Sequence, residues 1–207
     1  MIAILDYDMG NIKSIKNILH KIGEDNVVIS NNRKDIDESD GIILPGVGAY
    51  DTGMINLKKY DLVDLIIDKA VNKKTPILGI CLGMQLLGRG SEEGNEDGLG
   101  LIPFDNLHFE MQDYKVPHMG WDKVVIKDFQ NGLTASLDKE QRFYFVHSYY
   151  AKCDKEDNIM MTCEYGIEFA AAVIKENVMG VQFHPEKSHK YGMRLLSNFV
   201  RICENVY

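Results

Sequence analysis

Residues 76–87 read PILGICLGMQLL, an apolar segment typical of a buried strand that runs directly into the start of a helix. Cys81 lies at the junction, between Gly79 and Gly83. A nucleophile on so sharp a strand-to-helix turn needs glycine at both flanking positions, because larger side chains would collide with the turn. The N–H groups and dipole of the helix would favour a thiolate. The segment predicts a nucleophilic Cys81, although a small buried hydrophobic residue also fits this position.

Residues 182–186 read QFHPE and supply a candidate base at the end of the last predicted strand. Because side chains alternate along a strand, His184 and Glu186 should point to the same side, and Pro185 should stop further pairing. His184 could then accept the proton of Cys81 and pass it to a leaving amine, while Glu186 holds its tautomer. By itself this triplet is an ordinary strand end, but combined with the cysteine turn it favours a Cys–His–Glu triad.

Short apolar runs alternate with helical periodicity through the first half of the chain. The pattern predicts strands at 2–5, 27–29, 42–44 and 76–78, with helices at 12–22 and 62–70. Such alternation favours an α/β fold with a central, mostly parallel twisted sheet and helices on both faces. Ligands of these folds gather at the carboxyl ends of the strands, where residues 46–48 and Cys81 both lie.

The second half of the chain has a different pattern. Strand signals at 124–126, 143–146, 169–174 and 178–183 follow one another closely, which predicts an additional antiparallel or mixed β section. Glu176-Asn177 is a candidate hairpin turn, and 193–203 has the spacing of an amphipathic helix. The acidic stretch 91–98 fits a solvated loop. We expect one domain over residues 1–207.

The composition argues against several classes of protein. A net charge of −8 with no basic cluster disfavours a nucleic-acid or anionic membrane surface. We expect a cytoplasmic protein without a signal peptide or membrane span. The four cysteines form no CxxC pair, so we expect structural thiols at Cys153, Cys163 and Cys203. The histidines lack the spacing of a metal site, and neither a metal nor a cofactor is expected.

Residues 79–87 together with 184–186 resemble the class I glutamine amidotransferases. More of the chain is similar to one branch of that family, the glutaminase subunits of imidazole glycerol phosphate synthases. The matching segments are DY at 6–7, MGN at 9–11, PGVGA at 45–49, VPHMGW at 116–121, YFVHSYY at 144–150 and GVQFHPEKS at 180–188.

The resemblance implies that Cys81 attacks the carboxamide of L-glutamine to give a γ-glutamyl thioester and ammonia, and that water then releases glutamate. His184 would serve both half-reactions. The oxyanion hole would be formed by the backbone N–H of Leu82 with one from Gly46, Val47 or Gly48. The glutamine pocket would be lined by Gln85, Glu93, His147, Ser148 and Tyr149. Gln85 could instead be a packing residue of its helix, and Tyr149 could be an ordinary structural residue of its strand.

The resemblance also implies a partner, a (βα)8-barrel cyclase subunit that forms a heterodimer with the chain. This cyclase would use the ammonia to make imidazole glycerol phosphate and aminoimidazole carboxamide ribotide. The interface and ammonia gate would include Pro117, His118, Met119, Gly120 and Trp121, although Trp121 could instead be a core residue.

The chain departs from the usual pattern of this branch at Asp8, Asp122 and Gly88-Arg89-Gly90. Because Asp8 and Asp122 fall where a partner would be met, these departures leave open a related glutaminase that feeds ammonia to another synthase, such as one amidating a surface-polysaccharide sugar. Two further alternatives are a silent binding subunit and a cysteine hydrolase of another amide.

Overall fold

The computed structural model of the chain describes residues 1–111, 113–128, 130–135, 137–138 and 140–204. These ranges contain one continuous sheet of eleven strands with helices on both of its faces. The strands are β1 (Ile2–Leu5), β2 (Val27–Ser30), β3 (Gly41–Leu44), β4 (Ile77–Ile80), β5 (Phe104–His108), β6 (His118–Ile126), β7 (Glu140–His147), β8 (Tyr149–Cys153), β9 (Ile159–Tyr165), β10 (Ile167–Lys175) and β11 (Val178–Val181). The helices are α1 (Ile12–Lys21), α2 (Arg33–Asp37), α3 (Tyr50–Lys59), α4 (Val63–Val71), α5 (Leu82–Leu86) and α6 (His189–Cys203).

The first half of the sheet is parallel, as the sequence predicts. Its strands lie in the order β2-β1-β3-β4-β11, and every pairing among them is parallel. All residues of β1, β3, β4 and β11 are buried, which explains why each of these strands is an uninterrupted apolar or glycine-containing run.

The second half is antiparallel, and this expectation is also confirmed. The order continues through β11-β10-β9-β6-β7, while β8 pairs with both β10 and β5. Lys175 pairs with Val178, so Glu176-Asn177 forms the predicted hairpin turn. Glu176 has φ +54°, the left-handed conformation that such turns require. β11 therefore joins a parallel neighbour on one side to an antiparallel one on the other.

Two hydrophobic cores cover the two faces of the sheet. Alternate residues of β1 enter different cores: Ile2 and Ile4 pack with α1 and α6, whereas Ala3 and Leu5 pack with α3 and α4. This arrangement confirms the prediction of helices on both faces. In the described ranges, no helix has both the length and the apolar character needed to cross a lipid bilayer.

The prediction of a strand that reaches His184 and Glu186 is wrong. β11 ends at Val181, and Pro185–Lys187 forms a short 3₁₀ turn that begins after His184. Pro185 has no N–H for a ladder and favours the first position of a helical turn. The two side chains therefore meet across a turn and not through strand alternation.

Several elements have no clear periodic signal in the sequence. These are the helices α2 and α3 and the strands β5, β8 and β9. α3 contains Gly53, whose Cα faces Leu82 and Leu86 of α5. The buried face of α3 combines this close approach with the side chains of Tyr50, Met54 and Leu57.

Candidate active site

Cys81 occupies a strained turn between β4 and α5. It has φ +55° and ψ −112°, a conformation that non-glycine residues rarely adopt. Its backbone N–H donates to the Val181 carbonyl at 2.8 Å, which ties the turn to the end of β11. Cys81 therefore lies on a sharp strand-to-helix turn, as the sequence predicts, with 7% of its surface exposed.

The two flanking glycines are required by close contacts with backbone atoms. A Cβ on Gly79 would lie 2.6 Å from the Gly83 carbonyl oxygen, and a Cβ on Gly83 would lie 1.8 Å from the Leu44 carbonyl oxygen. The contact at Gly79 lies within the turn, between the end of β4 and the start of α5. The second holds the start of α5 against the end of β3, from which residues 45–49 continue.

His184 and Glu186 form a buried pair. The His184 Nδ1–H donates to Glu186 Oε1 at 2.8 Å, and each side chain is only 1% exposed. His184 Nε2 and Glu186 Oε2 have no hydrogen-bond partner among the described residues. The pair therefore holds the His184 ring in one tautomer with its outer nitrogen unengaged.

The electrostatics of the site favour a charged His184. Burial acts to lower the pKa of His184, but the interactions with Cys81 and then with Glu186 outweigh it, and the pKa is raised. A protonated imidazole near the sulfur is the proton donor that a leaving amine requires.

A glutamine side chain that the sequence does not single out reaches the sulfur. Gln182 is fully buried, and its Nε2 donates to Cys81 Sγ at 3.8 Å. Gln85 Nε2 donates to Gln182 Oε1 at 3.1 Å and to the Tyr149 carbonyl at 3.2 Å. Gln85 is thus both packed in its helix and part of a polar network behind the nucleophile. The only sequence signal for Gln182 is its position two residues before His184.

A cavity of about 310 Å³ brings most of the predicted residues together. Its lining comprises Val47, Gly48, Cys81, Leu82, Gln85, Glu93, Pro117, Val146, His147, Ser148, Tyr149 and His184. All five predicted glutamine-pocket residues lie in this lining. The loop 91–98 is mostly exposed, as a solvated connection should be, yet its Glu93 reaches the cavity and accepts the Tyr50 backbone N–H at 3.1 Å.

Three of the four predicted oxyanion residues, Val47, Gly48 and Leu82, line the cavity with Cys81, whereas Gly46 is not part of the lining. Leu82 begins α5, so its backbone N–H has no carbonyl partner within the helix. Gly46 lies beneath the cavity, where an added Cβ would be 2.7 Å from the Gly83 nitrogen. The Tyr7 hydroxyl donates to the Pro45 carbonyl and holds this loop from below, a role that the sequence does not reveal.

A family model described as glutamine amidotransferase class-I matches residues 3–203 of the chain. The chain belongs to this family. A relative from Methanococcus maripaludis, named imidazole glycerol phosphate synthase subunit HisH 2, is 52% identical over 97% of this chain and 99% of its own length. A protein of the same name from Pseudomonas aeruginosa is 47% identical over 98% of this chain and 100% of its own.

The family fold is also seen in solved structures of low sequence identity. The structure of PurLQS from Thermotoga maritima superposes with a TM-score of 0.76 at 18% identity, over 97% of this chain and 97% of that one. At this identity the likeness concerns the fold alone. It agrees with the mixed sheet and the two helical layers of this amidotransferase.

The five residues of the predicted partner interface lie at the start of β6 or directly before it, and they differ in solvent exposure. Pro117 lines the cavity and follows a cis peptide bond with Val116, while His118 is buried. Met119 and Trp121 are 62% and 43% exposed. Gly120, between them, has φ +146°. Trp121 is therefore a surface residue, stacked on His189, and the alternative of a core tryptophan is wrong.

The other three cysteines are free thiols in this amidotransferase. Burial raises the pKa of Cys153, Cys163 and Cys203 to about 12 in each case, so they stay protonated near neutral pH. Among the described residues, no group of three or more His, Cys, Asp or Glu side chains is arranged to hold a metal ion.

Replacing Gly83 with alanine should test the close approach of α5 and β3. Because the new Cβ would lie 1.8 Å from the Leu44 carbonyl oxygen, we expect Gly83→Ala to lower the free energy of unfolding by about 3 kcal/mol or more. Gly90→Ala is the matched control, since no atom lies within 4 Å of its added Cβ. Urea unfolding measures both variants, and equal stabilities would contradict the packing argument.

His147 should make the protein sensitive to acid. Burial lowers its pKa to about 3, so the unfolded chain takes up a proton as the pH falls below about 6.5 while the folded chain does not. We expect a loss of about 2 kcal/mol of stability between about pH 6.5 and 5 from this group.

The asparagine variant His147→Asn keeps a donor for the Tyr149 carbonyl but cannot titrate, so its stability should fall less steeply with acid in urea unfolding. His20→Asn makes the same chemical change at an exposed histidine and is the control for the substitution itself. Parallel pH dependences for wild type and His147→Asn would refute the assignment.

Proposed function

We propose that the chain is the glutaminase subunit of an imidazole glycerol phosphate synthase, with residues 1–207 as one glutaminase domain. It hydrolyses L-glutamine to glutamate and ammonia. The observation that carries this proposal is the meeting of Cys81 and His184 in one cavity with Glu186 behind the imidazole. The printed names of relatives at 52% and 47% identity over nearly the whole chain support the same function.

The first half-reaction forms a thioester. The Cys81 thiolate attacks the carboxamide carbon of glutamine, and a C–S bond forms as the carbonyl oxygen becomes negative. Backbone N–H groups of Leu82 and of the loop 46–48 stabilise this oxygen. His184 then gives its Nε2 proton to the amide nitrogen, the C–N bond breaks, and ammonia leaves.

The second half-reaction restores the enzyme. Neutral His184 accepts a proton from water, and the resulting hydroxide attacks the thioester carbon. The C–S bond breaks, Cys81 leaves as the thiolate, and glutamate is released. Glu186 keeps Nδ1–H bonded to its carboxylate throughout, so only Nε2 exchanges protons with the reacting atoms.

Selectivity for free glutamine requires groups for both charged ends of the amino acid. The Glu93 carboxylate lines the cavity and suits the α-ammonium group, while Ser148 and Tyr149 line it at the junction of β7 and β8 and suit the α-carboxylate. A peptide amide lacks both charges, and this difference favours glutamine over another amide as the substrate.

The ammonia is useful only if it reaches an acceptor before water protonates it. We therefore propose a (βα)8-barrel cyclase as the partner in a heterodimer, docked over the exposed side chains of Met119 and Trp121. Pro117 joins this surface to the cavity, because it lines the cavity and directly precedes β6. An exposed aromatic residue and methionine are typical of protein interfaces.

Replacing the nucleophile should remove the activity without unfolding the chain. We expect Cys81→Ala to lower the rate of glutamate release by about 10⁴-fold or more, because no other group can form the thioester. Cys153→Ala is the control, since that thiol lies outside the cavity lining, and it should keep the wild-type rate. Near wild-type turnover by a folded Cys81→Ala protein would end the nucleophile assignment, and a wild type without turnover would favour a silent subunit.

Reconstitution with purified partners tests the proposed pathway. We expect low activity for the isolated chain, and we expect the cyclase occupied by its ribotide acceptor to raise glutamine hydrolysis by about tenfold or more, a typical coupling between two sites. Analytical ultracentrifugation should show a one-to-one complex. Stimulation by a sugar-amidating synthase and not by the cyclase would overturn the histidine pathway but keep the glutaminase.

A further inference from the structure

A hydrogen-bonded path runs from the partner-facing strand β6 to the nucleophile. It begins at Asp122 Oδ2, which lies 2.9 Å from His118 Nε2, and continues from His118 Nδ1 to His147 Nε2 at 3.0 Å. His147 Nδ1 lies 2.8 Å from the Tyr149 carbonyl. That carbonyl also accepts from Gln85, which leads through Gln182 to Cys81 Sγ. We call this path, from Asp122 to Gln182, the relay.

The Asp122 end of the relay is exposed to solvent, whereas the interior of the relay is buried. The Asp122 side chain is 40% exposed, beside Trp121 on β6, whereas the His118 side chain is 1% exposed. His147 lines the glutamine cavity and is buried. A change at Asp122 can therefore reach the cavity through two buried rings.

The directions of the hydrogen bonds require one extra proton. The Tyr149 carbonyl can only accept, so His147 donates from Nδ1–H. Burial lowers the pKa of His147 to about 3, so the ring is neutral and its Nε2 must accept from His118 Nδ1–H. An ionised Asp122 can only accept, so His118 must also donate from Nε2–H. All links coexist only when the Asp122–His118 pair holds an additional proton.

The surroundings of His118 favour the loss of this additional proton. Its ring stacks on Phe145 and Tyr165 at centroid distances of 4.8 and 4.0 Å. The titratable groups facing it are Asp122 on its own strand, His147 on β7 and Tyr165 on β9. Burial lowers the pKa of His118, and the bond to Asp122 only partly opposes this. Near neutral pH one link of the relay is interrupted.

We propose that Asp122 and His118 are positioning residues that set the geometry of the glutamine cavity through His147, and that the proton on this pair completes the relay. This inference rests on the proposed glutaminase function. With the proton present, His147 is held at both ring nitrogens, and the Tyr149 carbonyl, Gln85 and Gln182 are ordered behind Cys81. Without this proton, one of the two hydrogen bonds of His118 is lost, and the hydrogen bonds from His147 to Gln182 are no longer connected to Asp122 on β6.

The substitution Asp122→Asn tests whether the relay forms without the additional proton on the Asp122–His118 pair. An asparagine amide can donate to a neutral His118 Nε2, and His118 can then donate from Nδ1–H to His147. The relay is complete in this variant at any pH above the pKa of His147. The matched control is Asp25→Asn, which makes the same chemical change at the exposed pair of His20 and Asp25.

Ring-nitrogen chemical shifts of histidine-labelled protein test the protonation directly. In the wild type we expect the His147 shifts to follow the titration of His118 as the pH falls below about 6.5, because the pKa of His118 is lowered. In Asp122→Asn they should be constant over this range, and in Asp25→Asn they should behave as in the wild type. His147 shifts that titrate equally in wild type and Asp122→Asn would overturn the proposal.

The pH profile of the assembled glutaminase supplies the functional readout. We expect the ratio of kcat/KM between wild type and Asp122→Asn to rise by about threefold or more as the pH falls from about 7.5 to 5, because acid completes only the wild-type relay and the pKa of His118 is lowered. The ratio for Asp25→Asn should be flat. A flat ratio for Asp122→Asn overturns the relay, whereas the expected chemical shifts without any glutamine hydrolysis overturn the proposed function and leave the relay standing.

Discussion

The site depends on how closely two backbones approach at the end of β3. The carbonyl of Leu44 lies where a Cβ of Gly83 would be, so the start of α5 rests directly on the loop that follows β3. The same approach leaves Val47 and Gly48, which follow β3, in one cavity lining with Cys81. The strained backbone of Cys81 is the local consequence, since its φ of +55° is held by β4 on one side and α5 on the other.

The register of the sheet brings the base to the nucleophile. Ile80 pairs with Val181 across the parallel strands β4 and β11, so Cys81 and Gln182 follow at the same edge of the sheet. His184 comes directly before the turn at Pro185–Lys187 and lines the same cavity as Cys81. The segment that follows β11 thus contributes both Gln182, whose amide contacts the sulfur, and His184, which lines the cavity.

The two histidines that line the cavity have opposite electrostatic environments. His184 faces a carboxylate and a sulfur, and its pKa is raised despite burial. His147 faces a carbonyl and two other imidazoles, and its pKa is lowered to about 3. The first therefore holds a proton near neutral pH, whereas the second stays neutral and acts as a hydrogen-bonding element of the pocket wall.

Local sequence was sufficient for the strands of the parallel half of the sheet and for the glycine-flanked turn, because each depends on neighbours within a few positions. It was misleading at Glu186, where a proline-initiated turn replaces strand alternation. It left Gln182, Tyr7 and the path through His118 unassigned, because their roles come from partners 29 to 101 residues away. Such contacts depend on sheet register and burial, because these determine which polar atoms lie together in the folded chain.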